Sequence, residues 1–159
     1  MRRDDQTKTK GRRAVLLLVP CGFALLTTPL GALAAPPAPA SGFRLVVHPD
    51  VAAAALDRGF VADIFLKKTT RWPDGSPISV VDLRFGSSVR QRFSEQVLLR
   101  SASAVRSYWQ QRIFTGRGVP PPELDSDEAV IRYVQSRRGA VGYVSESAVI
   151  SAVKVVAVR

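Results

Sequence analysis

Short apolar runs alternate along the chain with segments that carry an apolar stripe at helical spacing, and this order constrains the fold most strongly. Four runs have the length and composition of buried strands, namely Phe43–Val47, 78–81, 140–144 and 153–158. The segments between them predict helices over 52–56, 60–67, 86–97, 101–114 and 125–138. Strands that interleave with helices favour an α/β fold, with a small mixed, mostly parallel sheet flanked by helices.

Side-chain chemistry predicts where several of these helices begin. Asp50 suits the cap of a helix over 52–56, and Gly59 separates that helix from the next. Asp125, with Glu128 three residues later, is typical of the start of another helix, because both carboxylates can accept backbone N–H groups of the first turn. This acidic cluster is therefore interpreted as a helix start rather than as a metal site.

The N-terminus has the three-part layout of a secretory signal peptide, which we assign to residues 1–34. Residues 2–13 are basic, 14–33 are apolar, and Ala32-Leu33-Ala34 offers the small residues that signal peptidase requires. The alternative is an uncleaved membrane anchor, but two prolines and two glycines interrupt the apolar part. The layout predicts a periplasmic or secreted protein.

The N-terminal part of the sequence also bears on the export route and on the domain boundaries. The pair Arg12-Arg13 leaves general secretion and the twin-arginine route both open. The sequence of 35–41 is APPAPAS, which predicts an extended Pro/Ala linker. Residues 42–159 then form a single predicted domain. Its sequence contains no cysteine, because Cys21 lies in the leader, so packing rather than disulfides must stabilise it.

From residue 35 onward the chain has 17 Lys/Arg and 11 Asp/Glu, a net charge of +6, which favours anionic partners without choosing among them. Nucleic acid, anionic lipid, cell-wall polyanions and small oxyanions all fit a basic exported domain. The alternative is a basic surface that is merely solvated. We find no nucleic-acid-binding motif and no pattern of stacking aromatic residues, so a nucleic-acid partner is not predicted.

The usual groupings of catalytic residues cannot be assembled from this chain. His48 is the single histidine, so a zinc site of the common His/Cys type and a Ser-His-Asp triad both lack partners. The glycine patterns of a nucleophile elbow, a P-loop and a dinucleotide site are absent. The sequence therefore predicts a protein that is not an enzyme and that uses no metal or cofactor.

One motif predicts an oxyanion site. In VVDLRFGSSVRQRF, at 80–93, a β-rich run meets Gly86, Ser87 and Ser88 and then an Arg-rich helix. The first turn of a helix presents free N–H groups and a partial positive charge, to which Arg84 and Arg90 could add charge-assisted contacts. The alternative is plain helix capping by serine, and the motif alone does not decide between them.

Several blocks, in order, resemble the phosphate-type substrate-binding proteins of ABC transporters, in the type II periplasmic-binding-protein superfamily. The blocks are LVVHP at 45–49, DIFL at 63–66 with RWPDG at 71–75, VV at 80–81 leading to Gly86-Ser87, YW at 108–109 with FTG at 114–116, and GAVGYV at 139–144. Their order and spacing match one lobe of such a protein. The resemblance implies an α/β fold and a ligand-binding role outside the cytoplasm.

The departures from that family concern its phosphate motif, Arg-Ser-Asp-Gly-Ser-Gly-Thr. Aligned on Gly86, this chain has Leu83 in place of the arginine, Ser88 in place of the second glycine and Val89 in place of the threonine. The resemblance thus implies a single-lobe module that binds phosphate or another oxyanion weakly. A second lobe, a homodimer or a membrane transporter would be its partner. The alternative is an extracytoplasmic protein-interaction module that keeps the fold and has lost ligand binding.

Overall fold

The computed structural model describes residues 42–159. The predicted signal peptide and linker lie outside the described residues. The strands are β1 (Phe43–Val47), β2 (Ala55–Leu56), β3 (Ser79–Val80), β4 (Asp82–Leu83), β5 (Glu123–Leu124), β6 (Ala140–Ser145) and β7 (Lys154–Val158). The helices are α1 (Arg58–Phe65), α2 (Ser88–Gln96), α3 (Ala102–Phe114) and α4 (Asp127–Gln135).

The main sheet has the strand order β2-β7-β1-β6-β3, and β4 pairs with β5 in a separate ribbon. The predicted α/β fold with a mixed sheet is confirmed. The pairing is mixed, because the central strand β1 runs antiparallel to both β6 and β7. Parallel pairing joins β2 to β7, β3 to β6 and β4 to β5. A strand that is buried on both faces carries apolar residues whether its neighbours run parallel or antiparallel to it. Its sequence therefore does not reveal the direction of pairing.

Helices cover both faces of the sheet, which buries its central strands almost completely. On one face, Phe93 of α2 stacks on Tyr143 of β6, with ring centroids 3.9 Å apart. On the other face, α4 packs so closely over Gly142 that an added Cβ would lie 2.8 Å from Cγ1 of Val130. Glycine at 142 therefore permits the close approach of helix and sheet.

The segment before α1 corrects one expectation. Residues 52–56 form no helix, since Ala55–Leu56 pairs with the edge of β7. The next helix begins one residue after Asp57, whose side chain accepts the N–H of Phe60 at 3.1 Å, and Gly59 lies within its first turn. A segment whose apolar residues suggested a helix therefore forms the edge strand of the sheet instead.

The start of α4 corrects another expectation. Ser126, not Asp125, is the N-cap and accepts the N–H of Ala129 at 3.2 Å. Asp127 instead reaches across to the N–H and hydroxyl of Ser145 at the end of β6. Glu128 remains in the first turn, where a hydrogen bond from Ser126 lowers the pKa of its carboxyl group.

No helix within residues 42–159 combines the length and the apolar character that crossing a bilayer requires.

Candidate functional site

The predicted oxyanion motif forms the connection between β4 and α2, which we call the 84–87 loop. The loop is a tight turn, because the N–H of Ser87 donates to the carbonyl of Arg84 at 3.2 Å. Gly86 has φ +95°, a conformation that residues with a side chain rarely adopt, and no atom lies within 4 Å of where its Cβ would be. Glycine is required here for the backbone conformation, while the space beside it stays open.

The N-terminus of α2 has backbone donors available. Ser87 is the N-cap, and its hydroxyl accepts the N–H of Arg90 at a long 3.4 Å. The N–H groups of Gly86, Ser88 and Val89 donate to no atom within residues 42–159. Serine capping and free N–H donors therefore coexist at this helix start, which carries the partial positive charge of the helix dipole.

The two arginines of the motif have different surroundings. Arg84 is exposed, and its backbone N–H donates to Leu124 at 2.9 Å, which fixes the backbone beside the loop. In the described part of the chain its guanidinium makes no hydrogen bond or ion pair. The Arg84 side chain is therefore exposed beside the loop and is not held by other side chains of residues 42–159.

Arg90, in contrast, is engaged inside the protein and only 3% exposed. Its Nη2 lies 3.1 Å from Asp82, while its Nη1 lies 2.6 Å from Glu123 and donates to the carbonyl of Leu83 at 2.7 Å. Tyr143 donates its hydroxyl to the other oxygen of Asp82. The Arg90 guanidinium thus joins α2 to the β4–β5 ribbon, and Asp82 links both to β6.

Burial sets the ionisation of this cluster. Desolvation raises the pKa of Asp82, and the positive charge of Arg90 opposes that rise without cancelling it. Burial acts to lower the pKa of Arg90, but the carboxylates of Asp82 and Glu123 raise it above its ordinary value, so the guanidinium stays charged. Desolvation and the neighbouring Asp82 raise the pKa of Tyr143, which keeps that hydroxyl as a donor.

Sequence reasoning missed three members of this cluster: Asp82, Glu123 and Tyr143. A signal for the first was present, because an aspartate within an apolar strand requires a buried partner. Arg90 also lies on the same helix face as Phe93, Ser94 and Val97, by its spacing, and all four side chains are buried. Glu123 gave no signal, since it lies in a Pro-rich stretch that predicts a loop.

Two concave regions of the domain have no lining residue in common. A depression of about 270 Å³ borders Phe85 and Gly86, but Glu95 also lines it, and a carboxylate there disfavours an anion. A larger cavity of about 580 Å³ borders Trp72 and Gly139, away from the 84–87 loop. The backbone donors of the helix start, rather than either cavity, define the candidate site.

No three His, Cys, Asp or Glu side chains of residues 42–159 are grouped so that they could hold a metal ion.

Comparison with solved structures relates this arrangement to known proteins. A candidate phosphate ABC transporter substrate-binding protein from Clostridium perfringens, solved with bound phosphate, matches with a TM-score of 0.59 and 26% sequence identity. The match covers 74% of this chain and 44% of that one. The described domain has the fold of one lobe of a phosphate-type substrate-binding protein.

Two further solved structures support the same fold for this phosphate-type lobe. An ABC-type phosphate transport receptor from Vibrio cholerae matches with a TM-score of 0.58, 21% identity and 46% coverage of its chain. PstS from Borrelia burgdorferi matches with a TM-score of 0.58, 9% identity and 47% coverage of its chain. Each match covers 74% of this chain, which spans less than half the length of the proteins it matches. No family model and no curated protein matches the sequence.

Proposed function

We propose that this chain is an exported, non-enzymatic solute-binding module that holds phosphate or a similar oxyanion weakly at the start of α2. The observation that carries the proposal is the geometry of the 84–87 loop. Strand β4 leads into Gly86, whose φ is positive, and the N–H groups of Gly86, Ser88 and Val89 have no acceptor within residues 42–159 at this helix N-terminus. Backbone donors and a helix dipole in this arrangement favour an anion.

Structural similarity supports the choice of ligand class. The Clostridium perfringens protein was solved with phosphate, and it shares with this chain one lobe and 26% of the aligned residues. The solute would be bound between two walls in a closing pair of lobes. Residues 42–159 form one such wall, and we propose that a second lobe, a second copy of this chain or a membrane transporter supplies the facing one.

The chemistry of the loop predicts weak affinity. Leu83 stands where the family has an arginine, and Arg90 is engaged with Asp82 and Glu123, which leaves Arg84 as the cation beside the loop. An anion held on one exposed wall keeps much of its hydration, so fewer charge-assisted contacts offset its desolvation. Exposed charges are screened by salt, so binding should fall as ionic strength rises.

Calorimetry with phosphate and with sulfate at low salt tests the proposal. We expect saturable heat for the wild type and an affinity about three- to tenfold lower for Arg84→Ala, since this change removes one exposed charge-assisted contact. Arg92→Ala is the matched control, because Arg92 is an exposed arginine on α2. Absence of saturable heat in the wild type would contradict the proposal, as would equal affinity for Arg84→Ala.

One observation favours the alternative of a protein-interaction module. At the C-terminal end of α3, Phe114 is 93% exposed and Ile113 is 53% exposed. Val119 adds a third exposed apolar side chain. Exposed apolar clusters of this kind often contact partners. Absence of heat with either anion, together with capture of a membrane protein that Phe114→Ala abolishes, would favour this function.

A further inference from the structure

The carboxylate of Glu123 occupies a position at the 84–87 loop that an oxyanion could take. Its Oε2 accepts the N–H of Phe85 at 3.1 Å, and its Oε1 lies 2.6 Å from Nη1 of Arg90. A backbone N–H and a guanidinium that converge on one carboxylate are the donors with which proteins bind small oxyanions. Phe85 directly precedes Gly86, and Arg90 lies in the first turn of α2, so this carboxylate borders the proposed site.

We propose that Glu123 is an internal mimic of the ligand, which masks part of the oxyanion site and competes with phosphate for Arg90 and the Phe85 N–H. This inference rests on the proposed function and concerns the regulation of the same site. When the carboxylate turns away, the site gains a guanidinium donor and a fourth backbone N–H. With the carboxylate in place, a bound phosphate has only Arg84 and the N–H groups of Gly86, Ser88 and Val89.

The charges around Arg90 explain why the mask lowers affinity. One guanidinium faces two carboxylates, Asp82 and Glu123, so the cluster carries a net charge of about −1 and repels an approaching anion. Removal of Glu123 leaves the pair of Arg90 and Asp82, which is neutral overall. Nε of Arg90 is buried and donates to no atom within residues 42–159, so the guanidinium also has an unused donor.

The position of Glu123 allows it to move without unfolding the domain. Its side chain is 42% exposed, whereas the Arg90 side chain is 4% exposed. The backbone on either side stays fixed, because Pro122 accepts the N–H of Asp82 at 3.0 Å and Leu124 accepts that of Arg84 at 2.9 Å. A change of side-chain rotamer alone therefore uncovers the donors. When the Glu123 side chain moves, Arg90 remains held by Asp82 and by the carbonyl of Leu83.

Titration of the domain with inorganic phosphate, followed by calorimetry and by amide NMR shifts, tests this inference. We expect Glu123→Ala to bind phosphate about tenfold more tightly than the wild type, from one added charge-assisted contact and the loss of a repelling charge. Asp125→Ala is the matched control. It removes the same charge two residues away, from an exposed aspartate that makes no ion pair within residues 42–159, and should change affinity less than about twofold.

Acetate gives a second readout that does not depend on phosphate. It should raise the melting temperature of Glu123→Ala but not of the wild type, because it restores a carboxylate beside Arg90. If Glu123→Ala fails to fold, Glu123→Gln keeps the size of the side chain and removes its charge, and it should bind phosphate several-fold more tightly. Binding by Glu123→Ala when the wild type shows none supports the masking role, although it contradicts the proposed phosphate binding by the wild type.

The outcomes separate the inference from the proposed function. The masking role is overturned if Glu123→Ala binds phosphate no more tightly than the wild type, or if Asp125→Ala increases the affinity equally. Either result leaves the oxyanion site itself standing. Absence of binding in the wild type and in both Glu123 variants overturns the masking role together with the proposed function.

Discussion

Arg90→Ala should lower the free energy of unfolding by about 3–5 kcal/mol, because it removes one partner of a buried ion pair. Asp82 would keep its burial, at 7% exposure, and lose the guanidinium 3.1 Å from its carboxylate. The carbonyl of Leu83 would lose the hydrogen bond from Arg90, and the carboxylate of Glu123 would lose its ion pair. Urea unfolding followed by circular dichroism measures the change.

Two further variants identify the cause of that loss. Arg92→Ala removes an exposed arginine from the same helix and should change the free energy of unfolding by less than about 0.5 kcal/mol. The pair Asp82→Asn and Arg90→Met removes both buried charges and should destabilise less than Arg90→Ala alone, since no uncompensated buried charge remains. A loss below about 1 kcal/mol for Arg90→Ala would show that the ion pair does not hold the ribbon to α2.

Phe93→Ala should also destabilise the domain by about 3–5 kcal/mol, because it empties the centre of an aromatic cluster. Phe93 is 1% exposed and stacks on Tyr143, with an interplanar angle of 9°. Its ring also contacts Phe65 and Phe43, with centroids 4.6 and 5.3 Å away. Chemical unfolding is again the measurement. Loss of the ring would leave a cavity between α2 and the sheet, since close-packed neighbours relax only in part.

Phe114→Ala is the matched control for this second prediction. The same truncation at a side chain that is 93% exposed removes little packing and should shift stability by less than about 0.5 kcal/mol. Equal effects of the two truncations would contradict the assignment of Phe93 to the core and of Phe114 to the surface.

The sequence predicted the elements whose signal is local. The runs that became β1, β6 and β7 are mostly apolar, with Arg44 in the first and Lys154 in the last, and Ser87 carries the cap chemistry that starts α2. The direction and partner of each strand could not be predicted in this way. Pairing of β1 with β6 joins residues about a hundred positions apart, as Phe43 opposite Ser145 does, and both strands are apolar enough to pair in either direction.

The candidate site also has one part that the local sequence predicted and one part that depends on distant residues. The 84–87 loop could be predicted because a strand, Gly86 and Ser87 follow one another within a few residues. The ion pair of Arg90 with Glu123 could not be predicted, because Glu123 is 33 positions away in the chain. The β4–β5 pairing brings the two side chains together. Sequence therefore predicted Arg90 as a ligand-binding arginine, whereas the structure places its guanidinium against two carboxylates of the protein.

A crystal structure of the domain grown with phosphate tests the central claim most directly. The account predicts tetrahedral density within about 3 Å of the backbone nitrogens of Ser88 and Val89, with the Arg84 guanidinium turned toward it. Density at another surface alone, or a loop whose Gly86, Ser88 and Val89 nitrogens all bond to other protein atoms, would contradict it.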